Sequence, residues 1–166
     1  MGRLKRLARH LFAADARRLF PASSLERISR AVVDGERRHH GEICFAVESA
    51  LSPSAAWAGA DARGRAHAVF AQLRVWDTAG NNGVLLYLLL AEHRIEIIAD
   101  RGYDGRVSEA QWRGVCESIE ARMRAGEPEA AVVAGIEALS DLVAMHFPRA
   151  ADAADANELP DDPHLL

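Results

Sequence analysis

The chain has 166 residues, which is the size of one typical domain and long enough to bury a hydrophobic core. Apolar residues make up 49% of the chain and charged residues 27%, proportions that exclude a disordered or fibrous protein. The net charge of −4 excludes a protein that binds polyanions with its whole surface. Aromatic residues are only 6% and do not alternate with a basic patch, which argues against nucleic acid as a partner.

The two ends of the chain carry opposite charge. Residues 1–18 hold one acid, Asp15, and the basic residues Arg3, Lys5, Arg6, Arg9, Arg17 and Arg18. From residue 151 onward there are acids but no lysine or arginine. Such runs are either solvated or serve as interaction tails. We therefore predict a basic amphipathic N-terminal segment at 1–20, a folded domain at 21–148 and an acidic tail at 149–166.

The first predicted element is a helix over residues 3–12 with separate basic and apolar faces. The apolar residues that share one face are Leu4, Leu7, Ala8, Leu11 and Phe12. This helix can lie on an anionic membrane surface or pack its apolar stripe on the domain. We favour packing, or partial disorder, because the stripe is short.

A second helix is predicted to open with a capping box formed by Ser23 and Glu26. The strand that follows, Glu42–Glu48, is apolar on both faces in its middle, as expected for a strand covered by helices. Residues 52–62 are rich in serine, alanine and glycine and predict a loop. The apolar stripe of the next helix ends with Trp76.

An antiparallel hairpin is predicted next, because buried strands at 84–90 and 94–99 are separated only by a short turn. Two further helices follow, the first opened by a capping box of Ser108 and Gln111 and the second by Pro128. The order α(α)βαββαα predicts an α/β fold, a three-layer α/β/α sandwich with a small mixed sheet. A right-handed crossover makes the first two strands parallel.

The two cysteines, Cys44 and Cys116, stand on different predicted elements and lack metal-binding spacing, which is typical of buried thiols in a reducing compartment. No secretory signal is visible, because charges interrupt each candidate apolar stretch. The longest apolar run, residues 83–91, is shorter than the roughly 20 residues that span a bilayer. We expect a cytoplasmic protein without a transmembrane segment, at most peripheral to a membrane.

Polar connections gather at one end of the predicted hairpin. The start of its first strand and the end of its second lie side by side, so the loops at 77–83 and 100–105 must be neighbours. If the preceding strand is parallel to the first strand of the hairpin, its start and the end of the helix before it lie at the same end. The residues brought together in this way are Asp77, Asn81, Asn82, Asp100, Glu36 and Glu42.

Crowded carboxylates repel one another unless a cation or a proton intervenes, and oxygen ligands of this kind suit Ca²⁺ or Mg²⁺. We interpret the set as a divalent-cation site, with Ca²⁺ favoured and Mg²⁺ as the alternative. Structural roles stay open: Asn81 and Gly83 are turn formers, Asp77 can simply end a helix, and Asp100 can pair with Arg101.

Nucleophilic catalysis has no good candidate in this sequence. Neither a Ser-His-Asp nor a Cys-His set can be named, and the pattern Gly-x-Ser-x-Gly is absent. His39 and His40 are adjacent and therefore point in different directions, which predicts a solvated helix end and not a metal-binding pair.

Residues 70–105 resemble the TPM-domain family. The resemblance rests on the segments NNGVLLYLLL at 81–90 and RIEIIADRGYDG at 94–105, with Asp100 at the family's acidic position. Upstream, Glu36 and the segment E-I-x-x-A-V at 42–47 resemble the family's helix end and first strand. The likeness covers roughly residues 25–147.

The resemblance implies an α/β/α sandwich around a small mixed sheet. It also implies a family that includes Ca²⁺ binders and acid phosphatases, several of which work beside membranes in photosystem repair or receptor assembly. The positions that match are Glu36, Asp77, Asn81, Asn82 and Asp100. Glu42 occupies a place where the family often has glutamine. We expect the chain to lack the secretory signal and C-terminal membrane anchor of many relatives.

The leading hypothesis is a binding module of unknown pathway that holds a divalent cation at the sheet end and engages a protein partner there. Its basis is a set of converging carboxylates without a nucleophile. The alternative is a weak metal-assisted acid phosphatase acting on phosphomonoesters, with Asp77 and Asp100 as ligands or acid–base groups.

Overall fold

The computed structural model of the chain describes residues 2–149 and 157–166. Its strands are β1 (Glu42–Glu48), β2 (Gly83–Leu89), β3 (Arg94–Ala99) and β4 (His164–Leu165). Its α-helices are α1 (Arg3–Leu11), α2 (Ala16–Leu19), α3 (Ala22–Glu36), α4 (Pro53–Ala58), α5 (Ala62–Gln72), α6 (Glu109–Arg124) and α7 (Pro128–His146). Single 3-10 turns stand at Leu90–Glu92 and Arg101–Tyr103.

The strands form one mixed sheet in the order β3-β2-β1-β4. Strand β1 runs parallel to β2, with Glu42 opposite Gly83, and β2 and β3 form the antiparallel hairpin, with Val84 opposite Ala99. Both predicted strand directions are therefore confirmed. Strand β4, close to the C-terminus, pairs in parallel with the outer edge of β1.

Each face of the sheet carries its own hydrophobic core, because alternate side chains of a strand point to opposite faces. Ile43, Phe45 and Val47 of β1 face a core shared with α3, α6 and α7. Cys44 and Ala46 face a second core shared with α4 and α5. Helices thus cover both sides of the sheet, and the predicted three-layer α/β/α sandwich is confirmed.

Three local predictions were wrong. Residues 52–62 are not a loop throughout, because Pro53 opens the short helix α4, which Ser52 caps. Helix α3 begins directly after Pro21, so Ser23 lies inside its first turn and makes no N-cap bond. Trp76 is half-exposed, because α5 ends at Gln72 and helical spacing no longer applies beyond that point.

The N-terminal segment does form a helix, but the expected packing of its apolar stripe was also wrong. Leu4, Leu11 and Phe12 are exposed, and only Leu7 of that face packs partly against a core. Among the described helices, none combines the length and the apolar character needed to cross a bilayer.

The acidic tail is described only in part. Asp152 and Asp155 lie outside the described residues. Residues 157–166 run along the β1 side of the sheet, where Leu159 packs against one core and Leu165 against the other. The end of the tail is therefore bound to the domain by apolar contacts and by the ladder of β4.

We expect Ser108→Ala to lower the free energy of unfolding by about 1 kcal/mol, because it removes one half of a complete capping box. The hydroxyl of Ser108 accepts from the N–H of Gln111 at 3.3 Å, and the Gln111 side chain accepts from the N–H of Ser108 at 2.9 Å. Urea unfolding measures the loss. The control is Ser118→Ala, an exposed position inside α6; equal losses in both variants would contradict the capping role.

Candidate functional site

The two polar loops beside the hairpin touch each other, as predicted. The N–H of Gly102 donates to the carbonyl of Asn81 at 2.8 Å, and Arg101 Nε donates to the Asn81 side-chain oxygen, also at 2.8 Å. Asn81 has a φ of 50°, the left-handed conformation that asparagine tolerates better than most residues. Asn81 therefore connects the two loops through hydrogen bonds of its backbone and its side chain.

Asn82 is buried and connects three segments of the chain. Its backbone N–H donates to Thr78 Oγ1 at 3.0 Å, and its side-chain Nδ2 donates to the carbonyl of His40 at 2.8 Å. Its carbonyl accepts from the hydroxyl of Tyr103 at 2.9 Å and from the N–H of Glu42 at 3.3 Å. Its Oδ1 atom, by contrast, is buried with no hydrogen-bond partner among the described residues.

The two predicted aspartates differ in their surroundings. Asp77 is exposed and forms an ion pair with Arg74, one turn earlier in the chain. Asp100 caps the turn after β3 by accepting from the N–H of Arg101 at 2.7 Å, while its Oδ2 is buried without a partner in the described ranges. Asp77 is thus paired with Arg74 and does not end α5, which stops at Gln72, whereas Asp100 keeps one oxygen available.

Glu36 and Glu42 are both buried and lie together at the start of β1. Glu36 accepts from the N–H of Ile43 at 2.9 Å, and Glu42 accepts from the N–H groups of Glu158 at 3.2 Å and Leu159 at 3.3 Å. None of the ion pairs between described residues includes either glutamate. Two buried carboxyl groups at the start of β1 therefore have no basic partner in the described ranges.

Burial and like charge change the acidity of these glutamates. Burial raises the pKa of Glu36 to about 9; the Ile43 N–H opposes this, and the charges on Glu42 and Asp161 add to it. The pKa of Glu42 is also raised, first by burial, against its bonds from Glu158 and Leu159. At neutral pH the Glu36 carboxyl therefore holds a proton.

Sequence reasoning missed two acids that the C-terminal segment brings to this end. The carboxylate of Glu158 accepts from the N–H of Ala79 at 2.9 Å, in the loop before β2. The carboxylate of Asp161 is close enough to Glu36 to raise its pKa by charge and by a side-chain hydrogen bond. The available signal was the spacing of leucines in the acidic run, since Leu159 and Leu165 mark a segment that can pack.

The predicted residues form two groups on either side of β2. Glu36 and Glu42, joined by the unpredicted Asp161, gather around the start of β1, whereas Asn81 and Asp100 lie where β2 begins and β3 ends. Because Glu42 is opposite Gly83 and the N–H of Asp100 donates to the Gly83 carbonyl, their backbones are two strand spacings, about 10 Å, apart. Over residues 2–149 and 157–166, no group of three acids, histidines or cysteines is arranged to hold a metal ion.

Tyr103 lies between the two groups. Burial raises the pKa of its hydroxyl, and the negative charges on Asp100 and Glu42 raise it further. The hydroxyl donates to the Asn82 carbonyl, and the ring packs edge-on against Trp112 and Phe147. The tyrosine therefore keeps its proton between the two acidic groups.

The histidine prediction was wrong for one of the two residues. His39 is fully buried, and its Nδ1 bonds to the carbonyl of Gly41 at 2.9 Å, while His40 is exposed. Burial lowers the pKa of His39 to about 4, so the ring is neutral at physiological pH. Burial likewise raises the pKa of Cys44 to about 12 and that of Cys116 to about 11, which keeps both thiols unreactive.

Helices on both faces of a small mixed sheet, with polar loops gathered at one end, define a small α/β/α sandwich domain. The chain belongs to the TPM domain family, which matches residues 13–142. The NMR structure of BA42 protein from the psychrophilic bacterium Bizionia argentinensis is similar at 28% identity, with a TM-score of 0.76 over 88% of this chain and 94% of that chain. The N-terminal domain of cg2496 protein from Corynebacterium glutamicum shares the fold alone, at 12% identity, with a TM-score of 0.58 over 86% and 82% of the two chains. A comparison with curated proteins gave no match.

Proposed function

We propose that this chain is a module that binds a divalent cation, with Ca²⁺ favoured over Mg²⁺, at the polar end of its sheet. The observation that supports the proposal most strongly is the buried pair Glu36 and Glu42, which has no basic partner among the described residues. Asp161 brings a third carboxylate to the same place.

The physical argument is an exchange of a proton for a cation. A cation bound between these carboxylates offsets the burial and the like charges that together raise the pKa of Glu36, so binding releases a proton. Ca²⁺ accepts six to eight oxygen ligands in irregular geometry, which suits carboxylates on separate segments better than the strict octahedron of Mg²⁺. Because the three carboxylates are not yet in ligating geometry, the proposal requires them to close around the ion when the proton leaves.

The second predicted group has a smaller part in this proposal. Asn82 Oδ1 and Asp100 Oδ2 are buried oxygens without partners in the described ranges, and they give the same end of the sheet further acceptor capacity. Asp77 and Asn81 are engaged by Arg74 and Arg101 respectively. We therefore place the proposed cation at Glu36, Glu42 and Asp161, with Asp100 as a further acid on the far side of Tyr103.

The proposed protein partner would meet this same face. Glu42 already receives the N–H groups of Glu158 and Leu159, so a cation at Glu42 would change how firmly the C-terminal segment is bound. A face whose covering segment responds to a cation is suited to regulated binding of a partner. The proposed setting is the cytoplasm, where two free cysteines, the buried Cys44 and the partly buried Cys116, stay reduced.

Calorimetric titration with Ca²⁺ and Mg²⁺ tests the cation site. We expect wild-type protein to bind Ca²⁺ with release of a proton, and Glu42→Gln and Asp161→Asn each to weaken binding about tenfold or more, since each removes one charged ligand. Asp77→Asn is the matched control, because Asp77 is exposed and paired with Arg74, and it should bind as wild type does.

Two outcomes would overturn this assignment. One is the absence of binding heat with either ion; the other is a loss of binding in Asp77→Asn or Asp100→Asn while Glu42→Gln binds normally. Thermal melting of each variant separates lost binding from lost folding. The alternative of a metal-assisted phosphatase stays a prediction, because none of the described contacts favours it.

A further inference from the structure

Helix α1 is held on the domain by its polar side. Arg6 Nε and His10 Nε2 both bond to Glu92 Oε1, at 2.6 and 2.9 Å, in the turn of the β2–β3 hairpin. Arg6 also donates to the carbonyl of Ala56 at 2.9 Å, and the N–H of Leu51 donates to His10 Nδ1 at 3.1 Å. These contacts fix the rotation of the helix about its axis, so its outward face is determined.

The outward face is apolar, which reverses the usual arrangement of a surface helix. Leu4 is 74% exposed, Leu11 59% and Phe12 87%, and they share one side of the helix. Trp57 on the neighbouring helix α4 is 46% exposed, and the Arg3 guanidinium lies 6.0 Å from the centre of its ring. We call Leu4, Leu11, Phe12 and Trp57 the N-terminal apolar face.

Positive charge borders this face. Lys5 and Arg9 are exposed on one flank of the helix, and Arg3 is exposed on the other, beside Trp57. No acid occurs between residues 2 and 14. An amphipathic helix with leucine and aromatic side chains on one face and lysine and arginine at its borders has the composition of a helix that lies in the surface of an anionic bilayer. A protein partner would have to supply both an apolar groove and surrounding acids, whereas such a bilayer offers both by its nature.

We propose that the N-terminal apolar face docks peripherally on bilayers that contain anionic lipids. Leu11 and Phe12 enter the boundary between head groups and acyl chains, Trp57 lies at head-group level, and Lys5 and Arg9 contact lipid phosphates. The Arg6–Glu92–His10 contacts hold the helix so that the sheet domain stays outside the bilayer. This site is separate from the proposed cation site and does not depend on it.

Co-sedimentation with vesicles tests the proposal. We expect binding to vesicles of phosphatidylcholine and phosphatidylglycerol in equal parts, and little binding to phosphatidylcholine alone. The affinity of the double variant Leu11→Ser and Phe12→Ser for these vesicles should be lower by about tenfold or more, because the variant lacks the largest apolar groups that enter the lipid. The double variant Lys5→Glu and Arg9→Glu should lose vesicle affinity by about fivefold for each positive charge removed.

Matched controls are available on the opposite parts of the surface. Met145 on α7 is 62% exposed, and Arg113 on α6 is exposed, so Met145→Ser and Arg113→Glu remove similar groups elsewhere. Both controls should bind vesicles as wild type does. Equal vesicle binding by all variants would overturn the proposal. So would a lipid-free dimer, detected by light scattering, that Leu11→Ser with Phe12→Ser dissociates, because the face would then be covered by a second copy of the chain.

Discussion

Replacing Gly83 by alanine is expected to lower the free energy of unfolding by about 3 kcal/mol or more, at the upper end of the range for overpacking. A Cβ at this position would lie 1.9 Å from the backbone carbonyl oxygen of Val75. Val75 cannot easily retreat, because its side chain is fully buried and its N–H is bonded to Phe70 at the end of α5. The glycine of the Asn-Asn-Gly sequence is thus required for the close passage of β2 past the preceding turn.

Urea unfolding of the purified variant measures this loss. Gly114→Ala is the control: Gly114 lies inside α6, and nothing lies within 4 Å of the position its Cβ would take. Alanine there should stabilise the protein by up to about 1 kcal/mol through its higher helix propensity. A Gly83→Ala protein as stable as the wild type would show that the turn before β2 yields without cost.

The second large effect concerns pH and Glu36. With a folded pKa of about 9 and an unfolded pKa near the ordinary value for glutamate, the folded protein keeps a proton that the unfolded chain releases. This contribution to stability is fully present below about pH 4 and is lost as pH rises toward 9, at up to about 1.4 kcal/mol per pH unit. Glu36→Gln cannot ionise and keeps the acceptor for the Ile43 N–H, so its stability should fall less steeply over the same range.

Denaturant unfolding at a series of pH values compares the two proteins, with Glu117→Gln, an exposed position on α6, as the control. The stability curves of wild type and Glu117→Gln should run parallel, whereas Glu36→Gln should gain relative to both as pH rises. Parallel curves for all three would show that Glu36 titrates normally. If the cation proposal holds, Ca²⁺ at pH 8 should stabilise the wild type more than Glu36→Gln.

These two experiments bear on different parts of the family likeness. The glycine experiment tests the part of the Asn-Asn-Gly sequence that the fold itself requires, through the contact with Val75. The Glu36 experiment tests the acidic group, where Asp161, outside the region matched by the family, supplies a third carboxylate. If Asp161→Asn is stabilised by Ca²⁺ as much as the wild type is, the cation site consists only of residues within the region that the family matches.

Much of the architecture followed from local pattern. The hairpin of β2 and β3, the parallel pairing of β1 with β2 and the capping box at Ser108 were all predicted, because each depends on nearby residues, strand length and connection length. The same reasoning correctly predicted that the two polar loops are neighbours. It also predicted that Glu36 lies near Glu42, because only a short turn separates them in the chain.

The sequence by itself therefore determined the sandwich, the strand directions and the end of the sheet at which polar groups collect. Only the tertiary structure decided that Asp77 pairs with Arg74 and that Glu42 binds the C-terminal segment. It also decided that His39 is buried. It also decided that α1 faces outward with its apolar side, since the Glu92 carboxylate draws Arg6 and His10 inward. The physical reason is that sequence periodicity shows whether one face of a helix or strand is apolar. Which part of the molecule that face contacts depends on long-range charge pairing and burial.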